Sequence, residues 1–453
     1  MLDPKRHQPF RFAGLDDLRE AVRQLGLELS VEGNVSSLTR PATVAGKRVP
    51  NAMATLPMEG CDGKVDGGPD VLTFRRYQRF GAGGAGLIWF EACCVTEDGR
   101  SSPRKLWLYS ANKDEFRKLV DATRKAAADS MGPEHKPLLA LQLTHSGRYS
   151  LPKPAIAFHD PLLDAHIGLP DDYPVVTDDY LERLEDRYVE VAQMAFEVGF
   201  DAVDVKACHR YLVSELLAAH MREGRYGGSY ENRTRFLRNV VGKIRAALGP
   251  GGAIACRLNV CDAHPNGWGV DKNDPNKPDL TEPLRLVGEL RELGVSLIGA
   301  TAGNPRFNPH VNRPHDGALI GGHLADEHPL VGVARLIGLV REVQRAAKEV
   351  AVVGVGFSWL RHLWPNVAAA EIRGGGMTMA GLGRQSFAYP GFAKEIIQTG
   401  RLDPKHVCVT CSRCSQIMRD GGRTGCVPFD KEIYGPIYRE VRPQSKPVPT
   451  QIK

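Results

Sequence analysis

The sequence predicts a (β/α)8 TIM barrel with an N-terminal helical extension and a cysteine-containing C-terminal tail. Three observations predict it. Eight short apolar runs, at residues 51–56, 86–91, 138–143, 201–206, 253–258, 296–300, 351–355 and 376–380, read as buried parallel strands. Segments of helical period alternate with them, as in Tyr180, Leu184, Tyr188, Val191 and Ala195 behind the cap candidate Thr177. The turn after the first run, Leu56-Pro57-Met58-Glu59-Gly60, lacks the glycine-rich fingerprint that a doubly wound sheet more often carries there. Alternation without that fingerprint favours closure into a barrel.

The bulk properties narrow the function. The chain has 453 residues, 42% hydrophobic and 25% charged, which is globular composition with room for a large core. A net charge of +6, with both signs interspersed and no long basic run, argues against a nucleic-acid partner. No run approaches the ~18 apolar residues of a membrane helix, and the first residues lack a secretory apolar region. We expect a soluble cytoplasmic protein acting on a small molecule. It divides into residues 1–37, 38–400 and 401–453.

In chain order, Leu15, Leu18, Val22, Leu25 and Leu29 recur at helical spacing. They predict one amphipathic helix that packs on the barrel or forms the contact of a homo-oligomer. Residues 38–51 read as a hairpin turning at Ala45-Gly46. Residues 147–176, 262–280 and 302–328 are long connections, the first rich in proline, and would wall a pocket over the barrel mouth. The strand at 201–206 runs at once into Lys206, His209 and Tyr211, the place where barrel enzymes keep their chemistry. Arg225-Tyr226-Gly227-Gly228-Ser229 then forms a tight turn, and Asn232 opens the next helix. Arg257 follows the apolar run Ala253-Ile254-Ala255-Cys256, so it must find an anion or a dense set of acceptors. Of ten cysteines, six sit mostly in apolar strands and read as reduced core residues. Cys408, Cys411, Cys414 and Cys426 form C-x2-C-x2-C-x11-C, which suits an iron–sulfur cluster, a structural zinc or a vestigial thiol group.

The pattern K-A-C-H-R-Y-L followed by E-G-R-Y-G-G-S-Y-E-N-R resembles the flavin-dependent old yellow enzyme family (NADH:flavin oxidoreductases), over roughly residues 38–400. Gln142-Leu143-Thr144-His145-Ser146-Gly147-Arg148 is similar to the Q-L-x-H-x-G-R of that family, closest to its 2,4-dienoyl-CoA reductase branch. The resemblance implies bound FMN. Gln142 would meet the flavin pyrimidine and Arg257 the N1 side, while Pro57, Met58 and Ala92 would flank the ring. Gly354, Gly356, Gly383 and Arg384 would seat the phosphate, because glycines let backbone amides approach its oxygens.

The resemblance also implies NAD(P)H as reductant and Tyr211 as proton donor to an activated C=C bond. Lys206 and His209 replace the family's pair of substrate-carbonyl donors, and the added charge points to a carboxylate or thioester substrate. Glu59 stands where many relatives carry Thr or Cys. The histidine that dienoyl-CoA reductases use after the sixth strand is missing from Thr301-Ala302-Gly303-Asn304-Pro305, with His310 the nearest substitute. The tail cysteines resemble the C-x2-C-x3-C-x11-C of the dienoyl-CoA reductase and trimethylamine dehydrogenase branch, one residue shorter. That implies a [4Fe–4S] cluster at Cys408, Cys411, Cys414 and Cys426, able to take electrons from a protein partner. The expected activity is NAD(P)H-driven reduction of an enoate, enone or enoyl thioester. The alternatives are a flavin/iron–sulfur amine dehydrogenase and an electron-transfer flavoprotein without a small substrate.

Overall fold

The structure, a computed structural model, describes residues 2–442. A short antiparallel hairpin, β1 (Ala42–Val44) and β2 (Lys47–Val49), turns through Ala45 and Gly46, both at positive φ. Eight parallel strands follow: β3 (Met53–Thr55), β4 (Leu87–Cys94), β5 (Leu138–Thr144), β6 (Ala202–Val205), β7 (Ala253–Cys261), β8 (Val295–Ala302), β9 (Ala351–Gly354) and β10 (Met379–Leu382). They close in the order β3 to β10, with β10 pairing back on β3. The predicted barrel is the observed fold. Nearly every strand residue is buried, which explains continuous apolar runs instead of alternation.

Three boundaries differ from expectation for local reasons. The N-terminal helix, Leu15–Gln24, stops before Leu29. Gly26 there takes φ +61° while its N–H donates to Arg23 O and that of Leu27 to Val22 O, a Schellman cap. The last strand begins at Met379, because Gly375 and Gly376 cap the preceding helix instead of entering the sheet. Ser229, not Asn232, starts the helix after the tight turn. Its Oγ accepts the Asn232 N–H at 3.3 Å and caps Tyr230–Arg233, and a longer helix, Arg235–Leu248, follows. The cap Thr177 is as predicted, accepting the Tyr180 N–H at 3.1 Å.

The extension packs on the barrel wall. Phe10, Leu18, Leu29 and Val35 join the main core, and the Phe10 ring lies 5.4 Å from that of Trp359. At the other end of the chain, residues 407–426 fold back over the mouth. Thr424 N–H donates to Gly60 O at 2.6 Å, and Ile320 N–H to Gln416 Oε1 at 2.9 Å. A final helix, Lys431–Val441, seats Tyr434 against Leu72 and Ile417.

Candidate active site

The strand ends and the folded-back tail enclose a pocket at the barrel mouth. Pro57, Met58 and Glu59 line it after β3, Lys206, His209 and Tyr211 after β6, and Arg257 from β7. Arg306, Asn312 and Arg313 enter from the loops after β8, and Cys414, Met418 and Arg419 from the tail. Sequence reasoning missed the tail's share, and with it Arg306, Asn312 and Arg313.

Just inside the barrel stands Asp204 on β6. Its Oδ2 accepts from Gln142 Nε2 at 2.6 Å and Trp89 Nε1 at 2.9 Å, and its Oδ1 accepts the Arg257 N–H at 2.7 Å. Gln142 is therefore held by its amide nitrogen, which turns its Oε1 the other way. In register, Gln142 pairs with Ala92 on one side and Asp204 on the other. A β-bulge at Glu91 re-aims Ala92, while Glu91 itself leaves the barrel to bind Arg76 and the Gly60 N–H. Burial pushes the Asp204 carboxyl up to about 6.

That shift has a pH consequence. The folded protein binds a proton at Asp204 between the ordinary value of 3.8 and about 6, where the unfolded chain does not. Stability therefore falls as pH rises through that window, by about 3 kcal/mol. Asp204→Asn should flatten this slope in urea melts. It should also cost about 2–4 kcal/mol at neutral pH, because one amide oxygen cannot accept from both sets of donors.

Above this layer lies a cluster of charges. Glu59 Oε1 accepts from Tyr211 Oη at 2.8 Å and from Lys206 Nζ at 3.1 Å, and Lys105 Nζ stands 3.1 Å from the same oxygen. Burial opposes the Glu59 charge, but Lys105, Lys206 and the phenol outweigh it and hold the carboxyl far below the usual range. One carboxylate cannot neutralise two ammonium groups. Lys105 is fully enclosed and is also held by Ser101 Oγ and Ser146 Oγ at 3.2 Å each. Although burial works against its charge, Glu59 prevails and its pKa is raised. Lys206 faces the pocket with its Nζ 3.5 Å from the centre of the Tyr211 ring, and burial lowers its pKa. Burial, then the Glu59 charge, raises the Tyr211 phenol.

His209 and Arg210 both sit at positive φ, +66° and +56°. Two consecutive non-glycine residues in that region store strain that neighbours must hold. The holder is Arg210, whose guanidinium reaches Asp160 at 2.7 Å and Asp262 at 3.4 Å. Asp160 also binds His264 at 2.8 Å, so one carboxylate ties the loops after β5, β6 and β7. The raised backbone delivers the His209 ring to the pocket. Its Nε2 meets Asn312 Nδ2 at 3.1 Å, while burial, then Arg257, keeps it neutral. His310 is not among the pocket-lining residues and neighbours Glu327 and Arg335 instead.

Several hydrogen-bonding groups that FMN would satisfy stand unmet around the mouth. Arg257 Nε is buried without a partner and its Nη1 reaches only Pro57 O, at 3.4 Å. Arg384 Nη2 donates to Pro314 O at 2.7 Å, and its Nη1 is buried and unpartnered. Beside it a Cβ on Gly383 would come within 3.0 Å of Met58 Sδ. Gly354 ends β9, and Gly356 requires its glycine, with φ +96°. These groups fit a flavin mononucleotide.

The structure brings the four tail cysteines into one neighbourhood. Cys408, Cys411 and Cys414 all bear on the Cys426 thiol. Among the described residues, however, no three ligating side chains stand together as a metal site.

The motif Tyr226–Arg233, the most distinctive stretch of the sequence, lies outside the pocket as a brace. Arg233 donates to Gly228 O, Leu217 O and Glu282, and Tyr226 Oη donates to Glu185 at 2.9 Å. Among the described residues no helix is long and apolar enough to cross a membrane.

Comparison with known proteins bears on the family and the fold. Residues 37–274 match the NADH:flavin oxidoreductase / NADH oxidase family. An NADPH dehydrogenase of Geobacillus sp. (strain WCH70) is 30% identical over 370 residues, spanning 74% of this chain and 94% of that protein. Among solved structures, a 2-naphthoyl-CoA reductase in complex with 2-naphthoyl-CoA superimposes with a TM-score of 0.68 at 19% identity. That match covers 90% of this chain and 58% of the other. An old yellow enzyme homologue from Zymomonas mobilis gives 0.59 at 20% identity, covering 81% and 94%. The family match and a relative similar over most of the chain, on a closed barrel, settle the assignment: the protein belongs to the NADH:flavin oxidoreductase / NADH oxidase family and is an FMN-dependent NAD(P)H oxidoreductase.

Proposed function

We propose that this protein uses NAD(P)H to reduce a C=C bond conjugated to a carbonyl on an anionic or thioester-bearing substrate. One observation carries the reading. Lys206 and the enclosed Lys105 share a single carboxylate, Glu59, and Arg257 lines the same pocket as Lys206, so the pocket keeps a surplus of positive charge where an enolate oxygen would form. Arg257, Gln142, Pro57, Met58, Ala92, Gly354, Gly356, Gly383 and Arg384 would hold FMN, which when bound would supply the hydride. With its nitrogen on Asp204, Gln142 would have its amide oxygen free to accept from the flavin pyrimidine.

Lys206 and the neutral His209 polarise the substrate carbonyl, and Tyr211 gives the proton to the neighbouring carbon. The phenol points at Glu59 in the resting site, so it must turn from Glu59 to the substrate to do so. Lys206 stands over the ring and offsets the phenolate charge that results. The same surplus disfavours an ammonium substrate, and hence amine oxidation.

The test is the visible spectrum of anaerobically purified protein, followed by turnover with enoates and enoyl thioesters. Flavin bands bleached by NAD(P)H and restored by such an acceptor support the reading. Bleaching of the oxidised flavin by amines, or colourless protein, overturns it. Iron and sulfide assays on the same sample test a cluster at Cys408, Cys411, Cys414 and Cys426 separately.

A further inference from the structure

The outer rim of the pocket carries charge that neither FMN nor the reacting carbonyl accounts for. Arg306 follows β8, and Arg419 ends the tail helix Arg413–Arg419. Both line the mouth, and Arg419 Nη2 donates to Pro305 O at 2.8 Å, fixing the tail beside Arg306. The Arg306 guanidinium lies 4.5 Å from the centre of the Tyr149 ring, whose hydroxyl accepts from Asn304 Nδ2 at 2.7 Å.

Among the described residues neither arginine makes an ion pair with a carboxylate. Asp420, the nearest acid acting on Arg419, accepts from Gln416 Nε2 at 2.9 Å. Burial, then Arg306, pulls Arg419 down to about 10, and burial, then the same two arginines, depresses His166 on the lid helix Pro161–Ile167. Two segments thus press guanidiniums together with no ion-paired carboxylate among the described residues, beside a His166 that burial and both charges depress. Half-buried cations so arranged are costly unless an anion joins them. The two groups differ from Arg384, which belongs with the glycines after β9 and β10, and no thiol bears on Arg419.

We infer that Arg306 and Arg419 form a subsite for the diphosphate of an organic ligand entering the barrel mouth. Two planar guanidiniums from different segments suit a multivalent phosphate better than a single carboxylate, because each can form paired hydrogen bonds to oxygens on one face. The chemistry is shared by a nicotinamide dinucleotide and a coenzyme A thioester. The inference rests on the proposed function in that both ligands must reach the same mouth.

The experiment is calorimetric titration of the purified holoenzyme with NADP+ in one arm and free coenzyme A in the other, neither of which can turn over. We expect at least one to bind, with its Kd raised tenfold or more in Arg306→Gln/Arg419→Gln and a shallower salt dependence there. The arm that responds names the ligand. No binding in either arm, or unchanged affinity in the double variant, overturns the inference. Should that variant not retain flavin, protection of Arg306 and Arg419 from phenylglyoxal in the wild-type protein decides instead: protection by either probe supports the subsite, and equal labelling overturns it. Enoates that fail as acceptors while a probe still binds would refute the proposed reaction and leave the subsite standing.

Discussion

Lys206→Met is expected to lower turnover with an unsaturated carbonyl substrate about 10²–10³-fold, the loss of one charged donor at a developing oxyanion. NADPH oxidation with a dye acceptor should stay within a few-fold of wild type, since Lys206 is not among the unmet donors that fit FMN. The split between the two acceptors is the measurement. A purely structural lysine would depress both rates together. The wild-type profile adds a second signature. Burial sets the Lys206 pKa below the ordinary 10.5, so carbonyl-dependent turnover should decline with rising pH before a free lysine would titrate. That decline should be missing from dye-acceptor turnover, and missing altogether in Lys206→Met.

The barrel was legible because its strands are buried on both faces. Apolar runs such as 138–143 and 253–258 need no partner information to be read as strands. The tail was not legible as a lid. Its closure depends on Thr424 meeting Gly60 and Arg419 meeting Pro305, contacts that span more than a hundred residues and leave no periodic trace. Lys105 illustrates the same limit. It sits in the polar run Ser101-Ser102-Pro103-Arg104-Lys105, which reads as a solvated loop, yet it is fully buried against Glu59.

Asp204 could have been found, since an acid within Ala202-Val203-Asp204-Val205 must be satisfied from inside the barrel. The left-handed turn at His209 and Arg210 could not, because neither residue type announces positive φ. Tyr226–Arg233 teaches the converse: its distinctive pattern reflects a brace of hydrogen bonds below the mouth, so distinctiveness in sequence does not by itself locate chemistry.

Glu59→Gln should be the most damaging single change to stability, costing about 3–5 kcal/mol, because it leaves the enclosed Lys105 charge without its only carboxylate among the described residues. The sign of the pH dependence identifies the cause. The Glu59 carboxyl is depressed in the folded state, so its contribution is complete above the unfolded value near 4.5 and is lost as pH falls through the lower folded value. Lys105 is raised, so its contribution is complete below 10.5 and is lost only as pH climbs through the higher folded value. The deficit of the variant in urea melts should therefore be largest across the broad middle range and shrink toward strong acid. A deficit independent of pH would mean lost packing instead.

Function should shift in a definite direction as well. Removing the anion beside Lys206 lowers the ammonium's pKa further, so the alkaline decline of carbonyl turnover should move to lower pH in Glu59→Gln. Without that carboxylate the Tyr211 phenol becomes a stronger acid, so the proton donor should also ionise at lower pH and steepen the alkaline decline. Glu59→Asp would keep the charge on a shorter arm and should recover most of the stability. A rescue of stability without recovery of the pH profile would separate holding Lys105 from setting Lys206, the two tasks this one carboxylate performs.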